Sequence, residues 1–486
     1  VKKIKKTLAL SLALAMGLSL VACGEEATTV ADNTEATTVA DTEADTTAPD
    51  DTEATVDDAD VELDGSGAVI NIYVWNKEFA QRMQAHLPGY EAASDDPEAA
   101  LDGGTYNGVK VEFNQVDNAD NKYQDNLDAA LLAQADAAAD DKIDIFLVEA
   151  DYAKKYVEQQ DYVLDINKDL GITDDELSKQ YDYTKQVMTD VDGNLRGVSW
   201  QACSAGLIYN RKIAEEVLGS QDPEKVQEAV ADWDKFFETA ATMKEKGYYM
   251  TGTVNTTMRV YSNNSSKNFV VDGKVAVPDD IKKWVDDSKK MIDAEQSTSQ
   301  DLWSGDVVTK GFMKDPGNVF CYFGPAWYFN FCLSAADPAS IAADGGWGFV
   351  VGPQSYYWGG TWICCAAGSD NTEQVAQIMR DMTTNDDVMK EILMTDADCV
   401  NNKNVLDEMA GSDDGKVALL GDQNPWAALA EGAENVDASN LTEYDQGTVE
   451  SFQQSMKAYF DGESSYDDAV AEWTKSVLEK YPNLSE

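Results

Sequence analysis

Histidine is almost missing from this chain: the only one is His86. A histidine-built zinc site or a Ser-His-Asp triad therefore has a single donor to draw on. His86 lies near Pro88 in a polar stretch and is expected at the surface. Positive charge is scarce too. Against 89 Asp and Glu stand 37 Lys and Arg, a formal net charge of −52, and no Lys or Arg occurs between Lys6 and Lys77. Contacts to phosphates require a basic patch, so nucleic-acid binding is excluded. Anionic lipid would repel such a chain as well. The seven cysteines show no Cys-x-x-Cys spacing, and the 401–407 run has no EF-hand spacing. Neither a metal nor another cofactor is expected.

Long apolar runs are also lacking, with one exception. Lys2, Lys3, Lys5 and Lys6 precede an apolar stretch from Thr7 to Ala22, which ends Leu20-Val21-Ala22-Cys23. A positive start, a short apolar core and a small residue before the end make an export signal, spanning 1–22. The run is too short to cross a bilayer comfortably, which takes roughly 18 apolar residues. Its ending resembles the bacterial lipobox. That resemblance implies that Cys23 is lipidated and becomes the mature N-terminus, leaving the protein tethered to the outer face of the cell membrane through its lipid anchor alone.

Residues 23–65 lack aromatics and, apart from Leu63, any apolar side chain larger than Val. They are rich in Thr, Ala, Asp and Glu, and Ala-Thr-Thr-Val-Ala-Asp occurs at 27–32 and again at 36–41. Such a stretch cannot bury enough surface to offset its ordering entropy, and its like charges extend it, so a disordered acidic linker is expected. Roughly 420 residues follow, too many for one ordinary core, and two lobes are expected. Of the cysteines, Cys203, Cys321, Cys332, Cys364, Cys365 and Cys399 remain. An extracellular compartment allows disulfides, but most of the six sit in apolar segments, where a thiol acts as a small hydrophobe. Buried free thiols are expected.

The pattern beyond the linker is α/β. Val69–Trp75 follows the Gly65-Ser66-Gly67 break as a β-rich strand, Val109–Phe113 alternates as a second, and Ile143–Val148 is nearly all apolar, as in a strand covered on both faces. Between the last two, Tyr123, Leu127, Leu131 and Ala135 recur at helical spacing. This order predicts a parallel, doubly wound sheet, whose ligands bind beyond the carboxyl ends of the strands. Those ends are Trp75-Asn76-Lys77-Glu78, Asp117-Asn118 and Glu149-Ala150-Asp151-Tyr152. Further along, Trp233, Trp284 and Trp473 fall on apolar helix stripes and are assigned to the core.

Leu207-Ile208-Tyr209-Asn210-Arg211-Lys212 resembles the Leu-x-Tyr-Asn-Lys segment of family 1 extracellular solute-binding proteins, the maltose-binding-protein-like components of carbohydrate ABC importers. Phe323-Gly324-Pro325-Ala326-Trp327 resembles their Gly-Pro-Trp signature, with Ala326 as a departure. Trp347–Pro353 resembles the strand preceding Gly359-Gly360-Thr361-Trp362. The resemblance covers roughly 68–482, with an insert around 90–105 and an acidic 135–142 as further departures. It implies a two-lobed periplasmic-binding-protein-like (type II) fold whose doubly wound sheets are joined by a hinge. Lobe 1 would hold 66–200 with 361–407, and lobe 2 would hold 201–360 with 408–486. It also implies an ABC permease as partner, and the protein is expected to act as a monomer.

A pyranose presents C–H faces and a hydroxyl rim, and so calls for flat rings above and below and carboxylates or amides at the edge. Trp75, Trp200, Trp327, Trp358, Trp362 and Trp426 sit at predicted strand ends and loops. The candidate ligand set is Trp75, Asn76, Glu78, Asp117, Glu149, Asp151, Trp200, Arg259, Trp327, Trp362 and Trp426, with Trp75, Trp327 and Trp362 at positions the family resemblance marks. Arg259 is expected either to pair with an acid or to meet ligand. The expected function is reversible capture of an oligosaccharide without catalysis. The alternatives are an extracellular glycoside hydrolase, whose paired carboxylates a chain this acidic always offers, and the same fold holding a non-sugar solute.

Overall fold

The computed structural model describes residues 61–304, 317–333, 341 and 345–486. The expected export signal, Cys23 and the expected linker up to residue 60 lie outside them. Two mixed sheets organise the described residues. The first is built from β1 (Val69–Val74), β2 (Tyr90–Ala92), β3 (Gly104–Tyr106), β4 (Val109–Gln115) and β5 (Ile145–Glu149). The second takes β6 (Ser204–Asn210), β7 (Tyr249–Thr251), β10 (Val319–Pro325), β11 (Trp347–Val350) and β12 (Tyr356–Tyr357), while β8 (Val270–Val271) and β9 (Lys274–Val275) form a separate hairpin. The chain then returns, and β13 (Thr361–Cys365) completes the first sheet in the order β13-β5-β1-β4-β3-β2.

The expected parallel arrangement holds at the centre of the first sheet, where β1 runs parallel to both β4 and β5. The edges differ. β13 pairs antiparallel with β5, because it arrives directly from the second sheet through Gly359 and Gly360 and not through a crossover helix. In the second sheet β6 takes β10, β11 and β12 antiparallel, and only β10 and β7 run parallel. Ile145 to Val148 are all buried, as a strand covered on both faces requires.

Helices cover these sheets through the stripes seen in the sequence. Helix Trp233–Glu245 starts where the Asp232 carboxylate accepts the Lys235 N–H (2.8 Å), and it turns Phe236, Ala240 and Met243 inward. Trp284 and Trp473 are wholly buried with Phe452 and Phe460 among helices 279–293, 445–460 and 466–480. Among the described residues no helix is long and apolar enough to cross a membrane. All six cysteines are free and five are buried, as expected. His86 departs from expectation: its imidazole is only 4% exposed, and Nε2 lies 2.8 Å from an Asp396 carboxylate oxygen. The helix starting at Glu78 turns His86 toward the segment ending at Asp396, which local polarity could not reveal.

Candidate functional site

The carboxyl ends of the parallel strands supply one side of the site. Trp75 follows β1 and remains half-buried, its ring edge-on to Tyr123 (5.5 Å) and Tyr152 (6.3 Å). The Tyr123 hydroxyl donates to the Leu147 carbonyl (2.6 Å), which fixes this aromatic corner to β5. Asn76 accepts the Glu78 N–H (2.9 Å) and so starts helix Glu78–His86 immediately beyond the strand. Glu149 ends β5, and one of its oxygens accepts the Asp151 N–H (2.8 Å).

The second sheet contributes an aromatic wall. Trp327 follows β10; its Nε1–H donates to the Trp358 carbonyl (3.0 Å), and the two rings meet edge to face at 5.0 Å. Trp303 lies 5.8 Å from Trp358 and Phe331 6.3 Å from Trp327, and both are about half exposed. The Arg259 guanidinium stands 5.3 Å over the Trp358 ring. The two sides meet at Gly359 (φ +73°): a Cβ there would sit 3.2 Å from Trp327 Nε1 and 3.4 Å from Glu149 Oε1. Gly360 (φ +115°) occupies a conformation that side chains rarely adopt. This glycine pair lets the chain pass between wall and carboxylate.

An ion pair links the sides as well. Arg259 Nη1 donates to Asp151 Oδ1 at 2.6 Å, and Nη2 bonds the other oxygen, a two-pronged geometry. A polar cavity opens beside the pair, lined by Lys154, Asn263, Tyr357, Asp445 and Glu450 among others. Burial, followed by the neighbouring Asp151 charge, pushes the Glu149 carboxyl up to about 8. Burial likewise raises Asp445 to about 6. Among the described residues no group of His, Cys, Asp and Glu is placed to hold a metal ion.

Not every candidate reaches this place. Trp200, Trp362 and Trp426 correct the expectation: each is at most 1% exposed and offers no ring face. Trp200 stacks on Phe79 (5.4 Å), Trp362 donates to the Thr184 carbonyl (2.9 Å), and Trp426 to that of Gly415 (2.7 Å). Asp117 is exposed and accepts the Ala119 N–H (2.7 Å). Glu78 turns away into a buried network, with its Oε1 accepting from Gln201 Nε2 (3.0 Å). Arg259 takes the acid-paired alternative. Sequence reasoning misses Trp303 and Phe331, names Tyr152 only as part of the stretch beyond the third strand and puts Trp358 in a loop without a role; the one available signal is their position off the helix stripes.

A family model described as bacterial extracellular solute-binding protein matches residues 98–419. No curated protein matches the chain. Solved structures do. An extracellular solute-binding protein family 1 structure is 16% identical, with TM-score 0.67, covering 85% of this chain and 99% of that one. An ABC transporter associated binding protein from B. animalis subsp. lactis Bl-04, in complex with beta-1,6-galactobiose, is 17% identical (TM-score 0.58; 86% and 100% covered). The galacto-N-biose-/lacto-N-biose I-binding protein of Bifidobacterium longum, in complex with lacto-N-biose, is 12% identical (TM-score 0.60; 87% and 100% covered). These likenesses show the fold: two α/β lobes of the periplasmic-binding-protein kind joined by a hinge. With the family model spanning more than half its length, the chain belongs to the bacterial extracellular solute-binding proteins.

Proposed function

We propose that this protein captures a neutral oligosaccharide between its lobes and delivers it, unaltered, to an ABC permease. The observation that carries the reading is the pair of open indoles Trp303 and Trp327, backed by the buried Trp358 ring, with the half-buried Glu149 carboxyl on the other side of Gly359. Indoles suit the C–H faces of a sugar ring, and a carboxyl group, which when protonated both donates and accepts, suits its hydroxyl rim. Structural relatives holding galactobiose and lacto-N-biose support the same ligand class. Lobe 1 would comprise 66–200 and 361–407, and lobe 2 would comprise 201–360 and 408–486, with closure favoured by a ligand that touches both. The lipobox-like Cys23 would hold the monomeric protein at the outer face of the membrane, with the acidic linker as spacer.

Calorimetric titration and thermal shift against galactobiose, lacto-N-biose and maltotetraose test this. A ligand bound at a hundred times its Kd stabilises the fold by about 2.7 kcal/mol. At least one saccharide is expected to bind and be recovered intact. Cleavage products, or failure of every neutral saccharide to bind, would overturn the proposal.

A further inference from the structure

Three chain segments run side by side between the two sheets. Ala202 N–H donates to the Cys399 carbonyl (2.7 Å), Asn401 N–H to that of Trp200 (2.8 Å), Ile363 N–H to that of Val198 (2.8 Å) and Trp358 N–H to that of Cys203 (3.0 Å). One buried side chain touches all three. Gln201 lies on the first segment; its Oε1 accepts the Thr361 N–H of the second (3.1 Å), and its Nε2 donates to Asp398 at the start of the third (3.0 Å). The remaining Nε2–H reaches Glu78 Oε1 (3.0 Å). We propose that Gln201 sets the hinge angle, as a positioning residue that gears the crossing segments to Glu78 beside the ligand-facing end of β1.

The residue type follows from its partners. Only a side-chain amide offers one acceptor and two donors in this arrangement. A carboxylate would face Glu78 and Asp398 with like charge. An apolar chain would leave the buried Thr361 N–H without its acceptor and the two carboxylates to Arg82, which stands 3.7 Å from Glu78 and 3.6 Å from Asp398 and is shared with Asp396 at 3.1 Å. His86 bonds that same Asp396, so the network closes on helix Glu78–His86. Glu78 is anchored in turn by Asn76, next to Trp75. A ligand drawing on this loop therefore moves the carboxylate that holds Gln201.

Asn401 is the natural control. It is equally buried and equally bonded: Oδ1 accepts the Tyr181 N–H (3.0 Å), and Nδ2 donates to Thr184 Oγ1 (2.9 Å) and the Ser199 carbonyl (3.1 Å). Tyr181 and Thr184 lie ahead of the crossing and Ser199 on its first segment, so none of these partners belongs to the second segment or to helix Glu78–His86.

The inference rests on the two-lobed fold and not on the ligand, so the test uses the full chain without sugar. Dyes placed at exposed Leu132→Cys and Val271→Cys report the interlobe distance by single-molecule energy transfer. Gln201→Leu is expected to shift or broaden the distance distribution. Asn401→Leu is expected to lower Tm and leave the distribution as in the parent. Gln201→Glu is expected to shift it at pH 8 and to revert toward the parent at pH 5, where a protonated carboxyl regains a donor; the parent is run at both pH values. A parent-like distribution in both Gln201 variants, or an equal shift from Asn401→Leu, would overturn the proposal.

Discussion

Arg259 Nη1 stands 2.6 Å from Asp151 Oδ1, and this pair ties helix Met258–Asn263 to the turn beyond β5. Both side chains are about a quarter exposed, so the attraction is only partly screened. Arg259→Met and Asp151→Asn are each expected to weaken sugar capture about tenfold or more. The double variant should lose less than the sum, with a coupling on the order of 2 kcal/mol, as for close charge pairs spanning an interface. A double-mutant cycle on affinity measures it, and strict additivity would show the pair to be idle.

Truncating the wall separates binding from stability. Trp303→Ala and Trp327→Ala should each weaken saccharide binding by about 2 kcal/mol, the scale for losing an aromatic anchor, with little change in Tm. Trp426→Ala and Trp362→Ala remove wholly buried rings and should instead lower unfolding stability by about 3–5 kcal/mol. Paired titration and denaturant curves distinguish the two classes.

Glu149 makes stability depend on pH in a fixed direction. Its folded carboxyl is raised to about 8, by burial first and the Asp151 charge second, against an ordinary value of 4.5. The folded state therefore holds a proton that the unfolded state releases. The contribution of this group is fully present below about pH 4.5 and is lost as pH rises toward 8, at about 1.4 kcal/mol per unit. Glu149→Gln should flatten that decline in denaturant midpoints measured from pH 5 to 8. An unchanged slope would place the titration elsewhere. Glu78, raised by burial to about 7, contributes in the same sense below pH 7.

The thiols should be silent. Cys203, Cys321, Cys364, Cys365 and Cys399 are buried, and burial raises each of them. Partly exposed Cys332 is pushed up to about 12, also by burial. A disulfide-exchange reagent at pH 7.5 is expected to react slowly at Cys332 and not with the other five until denaturant is added, because only the thiolate attacks. Rapid reaction of several thiols in the native protein would contradict this packing.

The strands that frame the site were legible because their patterns are local. Val69–Val74 is rich in β-formers, and Ile145–Val148 is apolar throughout, so the loops beyond them followed directly. The rings were harder. Trp362 sits at a turn in the sequence, but β13 pairs with β5 and buries it beneath Thr184. Trp358 gains its place from Trp327, Trp303 and Arg259, which are distant in the chain and carry no shared local signal. Glu78 lay where expected beyond β1, but Gln201 drew it inward.

The late return of β13 governs how this molecule comes into being. Thr361 pairs with Glu149 across roughly two hundred intervening residues. During export the chain emerges in sequence, and the flank of β5 stays bare until that last strand arrives, an open invitation to stray pairing. A fragment stopped before Thr361 carries this raw border permanently. Neither half is thus a unit of biogenesis: the sheet that begins first is the one closed last.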